Sequence, residues 1–231
     1  MPASCGNGLI HIWLDSALAE KVQILKPISS SKLWPNIPHI SNATTVSLRL
    51  STNSFRFVGE ESYSKGASRD YLIDDSPTWC IDPLDGTVNY IHLFPMYCVS
   101  IAFLHASKPV IGVINAPFLN QFFSSCAGRG AFLNETQPLP LVRNPIPPMP
   151  KNAPSGCVFS CEWGKDRRDI PDGNMHRKIE SFVNMAAEVG GRSGRGGMVH
   201  GMRSLGSATL DLAYVAMGAF DIWWEGGCWE W

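Results

Sequence analysis

The chain has 231 residues, 45% of them apolar and 17% charged, with a formal net charge of -1. That length and apolarity allow a sizeable core in one domain or two closely joined ones, and the near-neutral charge gives no reason to expect nucleic acid or an anionic membrane surface as partner. Seven cysteines, odd in number and scattered, speak for buried thiols rather than a disulfide framework or zinc, and no apolar run reaches membrane-spanning length.

The first 25 residues lack the basic start and long apolar core of a secretory signal, so a cytoplasmic location is the default expectation. Asp15 to Leu25 places Leu18, Val22 and Leu25 on one face of a short helix, which Pro27, Pro35, Pro38 and the Ser29-Ser30-Ser31 run keep from extending. Phe57-Val58-Gly59-Glu60-Glu61 is an apolar run ending in paired acids, the pattern of a strand end, although a lone Glu pair is more often a solvated face. Trp79-Cys80-Ile81-Asp82 repeats it. If the two strands are neighbours, as sequential strands often are, Glu60 and Asp82 come together.

Asp82-Pro83-Leu84-Asp85-Gly86 brings two carboxylates near one point. Pro83 fixes its own φ and extends Asp82, and Asp85-Gly86 turns the chain. Taken alone the five residues read as a surface turn. Two carboxylates so close repel unless a proton, a basic partner or a cation compensates, and no basic residue lies in the stretch. Their oxygens, with the Leu84 carbonyl, are hard ligands suited to Mg²⁺ or Mn²⁺. A helix beginning after Gly86 leaves the N–H groups of Gly86 and Thr87 for an anion.

Cys98–Leu104, Val110–Asn115 and Gln121–Ser125 read as an antiparallel meander, and Gly128–Asn134 adds a strand. Pro138 to Pro154 holds seven prolines and is mostly irregular. Gly156–Cys161 is an apolar strand and Trp163–Gly173 a loop. Asn174 caps a helix with Ile179, Phe182, Val183, Ala186 and Ala187 on its buried face, stopped at Gly190-Gly191. Gly206-Ser207-Ala208 opens another helix, with Leu210, Ala213, Tyr214 and Met217 buried. Those small residues suit a sugar pocket or, equally on spacing, a packing notch. Glu225, an acid among tryptophans, implies partial burial and a partner.

Gly59-Glu60-Glu61, the run from Trp79 to Tyr90 and the following Phe94-Pro95 resemble signatures of the inositol monophosphatase family, above all its fungal members, including quinate-cluster relatives. The resemblance runs from about Ser54 to Trp231, and Gly128–Asn134 and Gly206-Ser207-Ala208 match further family segments. It implies an α/β fold, the αβαβα sandwich shared with fructose bisphosphatases, incomplete at the C-terminal end. Residues 1–53 would be a divergent segment, 54–137 the metal- and phosphate-binding half, 138–155 a connection, and 156–231 the start of the second half.

The resemblance further implies Mg²⁺-dependent hydrolysis of an inositol monophosphate with two or three ions in the intact family. Glu60, Asp82 and the Leu84 carbonyl would take the first ion, and Asp82 and Asp85 the second. Glu60 and Thr87 would be catalytic. The substrate would meet Glu60, Leu84, Asp85, Gly86, Thr87, Gly206, Ser207, Ala208 and Glu225. Lithium sensitivity and a homodimer are implied too. In the family an aspartate follows the tryptophan matching Trp231 and binds the second ion, so the 231 residues alone are expected to bind that ion weakly, with low or no activity. Three alternatives stand beside this reading. One is a haloacid-dehalogenase-type phosphatase with Asp82 as nucleophile, which leaves Glu60 without a role. The others are a regulatory protein that binds metal and sugar phosphate without turnover, and a phosphatase of another substrate in the same superfamily.

Overall fold

A computed structural model describes residues 23–24, 48–49, 55–59, 73–141, 148–164 and 166–226, in two units, Met1–Phe55 and Arg56–Trp231. In the first unit β1 (Gln23–Ile24) pairs antiparallel with β2 (Leu48–Arg49). The part of the expected Asp15–Leu25 helix that is described is therefore strand: pairing with a distant segment overrides a local helical pattern this short.

In the second unit β3 (Arg56–Gly59) lies parallel to β4 (Thr78–Asp85), with Gly59 opposite Ile81. The two apolar runs that end in acids are thus neighbouring strands. β4 is longer than the three residues expected and carries the chain through Asp85. From β4 the sheet continues antiparallel through β5 (Cys98–His105), β6 (Lys108–Ala116), β7 (Gln121–Cys126), β8 (Gly130–Leu133) and β9 (Gln137–Pro138). Alternating apolar residues of β5 and β6 form these strands because period-2 patterning buries one side: Ile101 and Phe103 on β5, Ile111 and Val113 on β6, are all buried. Trp79 of β4 is 1% exposed and its ring lies 4.8 Å from that of Phe103.

A second, three-stranded parallel sheet has β10 (Val158–Ser160) between β11 (Gly201–Arg203) and β12 (Ile222–Trp223). The α-helices among the described residues are α1 (Thr87–Ile91), α2 (Asn174–Ala186), the short turn α3 (Gly191–Gly194) and α4 (Ala208–Met217). α4 joins the sheets to a common core. Leu210 packs with Cys98 and Ala116, and Ala213 with Phe123 and Leu133.

Two expectations for α2 are corrected. Asn174 is the first helical residue, and Gly173 is the cap, with no side-chain capping bond. The buried face is also rotated: Ile179 and Val183 are exposed at 38% and 40%, whereas Lys178 is 1% exposed. Aromatic stacking and a buried ion pair set that rotation. Phe182 stacks on Trp163 at 5.1 Å and meets Phe159 edge-on at 5.8 Å, and Lys178, one turn earlier, faces the same side. Cys157 and Cys161 are both buried, and no helix among the described residues is long and apolar enough to cross a membrane.

Candidate active site

The site starts from an irregularity in β4. Residues three apart on a regular strand point to opposite faces. Here Asp82 opposes Ser100 and Asp85 opposes Cys98, three residues of β4 against two of β5. Ser100 and Cys98 share a face of β5, so this bulge at Pro83-Leu84 puts Asp82 and Asp85 on one face as well. Proline suits such a place because the ladder is interrupted there. Both carboxylates act on the buried Cys98 thiol: burial pushes its pKa up most, Asp85 adds to that, a Ser207 hydrogen bond opposes it, and Asp82 raises it further.

Each acid is held by its surroundings. Asp82 is 9% exposed, and its Oδ1 accepts from the Leu84 N–H at 2.9 Å. The Leu84 carbonyl accepts from the Thr87 hydroxyl at 3.0 Å, leaving a second lone pair. Asp85 Oδ2 accepts from Ser207 Oγ at 2.5 Å and from Thr209 N at 3.0 Å. Ser207 is the N-cap of α4 and accepts from Leu210 N at 3.2 Å. Asp85 therefore satisfies the start of α4 from outside, where a carboxylate is favoured by free N–H groups and the helix dipole.

Gly86 and Gly206 are required by conformation and by space. Gly86 has φ 84°, and a Cβ on it would lie 2.6 Å from the Met96 carbonyl. Gly206 has φ 76°, and its Cβ would lie 2.7 Å from the Asn89 side chain. Asn89 explains the crowding, since its amide donates to the Met96 carbonyl at 2.6 Å and to the Leu205 carbonyl at 2.7 Å. One amide thus ties the loop after α1 to the Gly206-Ser207-Ala208 segment.

Behind that segment runs a row of buried polar groups the sequence reading did not single out. Glu162 is 7% exposed and accepts from Leu205 N at 2.5 Å and Ser204 Oγ at 3.3 Å. Asp211 is fully buried, with Ser160 Oγ 2.5 Å from its Oδ1. Burial, then the neighbouring Glu162, push its pKa up to about 8, so Asp211 holds a proton at neutral pH. Glu225 has the partner its setting implied: it is ion-paired with Lys178, and the side chains are 14% and 1% exposed. Glu162 had a signal in the sequence, because it ends the apolar run Val158–Cys161 just as Glu60 and Asp82 end theirs. Lys178 and Asp211 had none, lying within helices otherwise read as apolar on their inner faces.

The structure brings Asp82, Leu84, Asp85, Gly86, Thr87, Ser207 and Ala208 to one margin of the second unit, with Gly206 tied to it through Asn89. Glu60 lies outside the described residues. Among the described residues no three His, Cys, Asp or Glu side chains form a metal-sized cluster. The donors present, two carboxylates on one face and a carbonyl between them in sequence, are hard oxygens of the kind magnesium takes.

The sequence and the fold both match a known family. The model of the inositol monophosphatase family matches residues 39–231, beginning ahead of Ser54. A quinic acid degradation cluster protein of Neurospora crassa is 72% identical over 181 residues, covering 77% of this chain and 52% of its own length. Inositol monophosphatase 2 of Saccharomyces cerevisiae is 40% identical over 178 residues, covering 77% and 56%. The solved inositol monophosphatase of Anabaena aligns with a TM-score of 0.52 at 35% identity, covering 65% of this chain and 53% of that one. The mixed α/β architecture is thus the expected one, and the chain spans about half the length of the curated relatives it matches.

Proposed function

Because the chain belongs to the inositol monophosphatase family, we propose that it serves the magnesium-dependent hydrolysis of a phosphate monoester of a polyol, with myo-inositol 1-phosphate as the substrate tried first. One observation supports this reading above the others: the β4 bulge turns Asp82 and Asp85 to the same face, and Asp85 is bonded to the start of α4, where Gly206-Ser207-Ala208 lies.

Glu60, Asp82 and the Leu84 carbonyl would hold one ion, and Asp82 and Asp85 would contribute to a second. Bound magnesium supplies a Lewis acid that lowers the pKa of water and offsets phosphate charge. The chain does the positioning. Thr87 donates its only hydroxyl proton to the Leu84 carbonyl, so its lone pairs are free to accept from a water and orient it, and Glu60 would be catalytic with it. Gly86 and Thr87 offer N–H groups to phosphate oxygens, and the half-buried Ala208 leaves room for a ring. Glu225, held by Lys178, accepts from a substrate hydroxyl. Asp82 is thus a metal ligand in this reading, not a covalent nucleophile.

A second substrate within the family is favoured by one finding: identity is 72% to the quinic acid cluster protein against 40% to the yeast inositol monophosphatase. Phosphate release from a panel of sugar, polyol and nucleotide phosphates, with magnesium and with chelator, tests both readings. Magnesium-dependent release that Asp82→Asn lowers by about 100-fold is expected. Metal-independent release, or a phosphoaspartate trapped on Asp82, would overturn the mechanism.

A further inference from the structure

Lys178 is a charge in an unexpected place. It occupies the inner face of α2 and is 1% exposed, although lysines seldom bury completely without a partner. Its ammonium donates to the Gly164 carbonyl at 3.1 Å and to Oε1 of Glu225. The same Oε1 accepts from Gly226 N at 3.0 Å. One oxygen of Glu225 is therefore filled from two sides. The other, Oε2, is left for a ligand on a side chain that stays 14% exposed. Among the described residues, the acids Glu162, just past the end of β10, and Asp211 from α4 act together with Lys178 and Glu225 on the Cys161 thiol. Lys178 is the one cation in that set.

A buried ion pair is poor evidence for added stability, because desolvation offsets most of its attraction. Conformational specificity is the better-supported use. We propose that Lys178 is a positioning residue for substrate selectivity. By clamping one oxygen of Glu225 and keeping the side chain in a single orientation, it presents the other as the acceptor for a hydroxyl of the alcohol half of the substrate. The ammonium itself touches no substrate. This rests on the reading of the site as one for a polyol phosphate.

The test compares myo-inositol 1-phosphate with phenyl phosphate, whose alcohol half carries no hydroxyl for Glu225. For each variant the ratio of kcat/KM values is taken or, where binding occurs without turnover, the ratio of association constants from calorimetry. Either ratio is read on the folded fraction alone, so partial loss of folding does not disturb it. Lys178→Met is expected to lower the ratio by about tenfold, chiefly through KM for the inositol ester, with phenyl phosphate changed less than about twofold. Should that variant give no folded protein, Lys178→Gln, which keeps a donor for the Gly164 carbonyl, is expected to lower the ratio by about threefold or more. An unchanged ratio in the variant measured, with both substrates falling together or neither falling, makes Lys178 a structural pin and overturns the proposal while leaving the phosphatase reading intact. A wild-type chain that neither binds nor hydrolyses the inositol ester removes the polyol reading, and this role with it.

Discussion

Asp85 meets two demands with two oxygens. Oδ2 accepts from Ser207 Oγ and Thr209 N, which leaves Oδ1 for a cation, so anything that loosens Ser207 also loosens a metal ligand. Ser207→Ala removes the N-cap acceptor for Leu210 N and the donor to Asp85, and should cost about 1 kcal/mol in urea denaturation. It should also weaken divalent-ion affinity; a variant with unaltered stability and affinity would show that the bond to Asp85 positions nothing. Asp211 supplies a prediction in pH. Its usual value is near 3.8, and in the fold it is pushed up to about 8, first by burial and then by Glu162. Between those values the native state holds a proton the unfolded chain has released, so this carboxyl makes stability fall as pH rises across that window. Asp211→Asn keeps the shape without the titration, and its stability should fall less from pH 5 to pH 8 than that of the wild type. Equal slopes would mean that Asp211 is ionised in the fold.

At the scale of elements, the β4 bulge and the two glycines facing Asn89 and Met96 are parts of one joint. Gly206→Ala places a Cβ at positive φ against the Asn89 amide, and should cost about 1–3 kcal/mol in denaturation while moving the 206–208 segment off Asp85. A neutral Gly206→Ala would mean that the joint yields freely. The meander around this joint was legible because β5 to β7 alternate apolar and polar residues with turn residues between. The bulge was not. Asp82-Pro83-Leu84-Asp85 shows only a proline between two acids, and whether they share a face depends on the register of β5 across from them. The face of α2 was misread for a related reason: Ile179, Val183 and Ala186 form a regular apolar stripe, but the stacking of Phe182 on Trp163 and the pairing of Lys178 with Glu225 outweigh it. Glu162 was legible in principle, carrying the same strand-end signature as Asp82.

At the scale of the whole molecule, a family match over residues 39–231 and a TM-score of 0.52 to a solved inositol monophosphatase agree with what the acid motifs implied. The second unit reaches its site from both sheets: β4 supplies Asp82 and Asp85, while the segment between β11 and α4 supplies Ser207 and the first turn of α4 supplies Thr209. A divalent ion bound at Asp82 and Asp85 should therefore stabilise the unit as a whole, by an amount set by its concentration relative to its Kd. The same carboxylates offer a direct readout of the metal itself. Electron paramagnetic resonance of Mn²⁺, titrated with the chain in the presence of inorganic phosphate, follows the loss of the free-ion signal. The account predicts saturable loss of that signal with the wild-type chain, and little loss with the folded Asp82→Asn and Asp85→Asn variants. A free-ion signal that the wild type leaves untouched, or that the variants remove equally well, would contradict it.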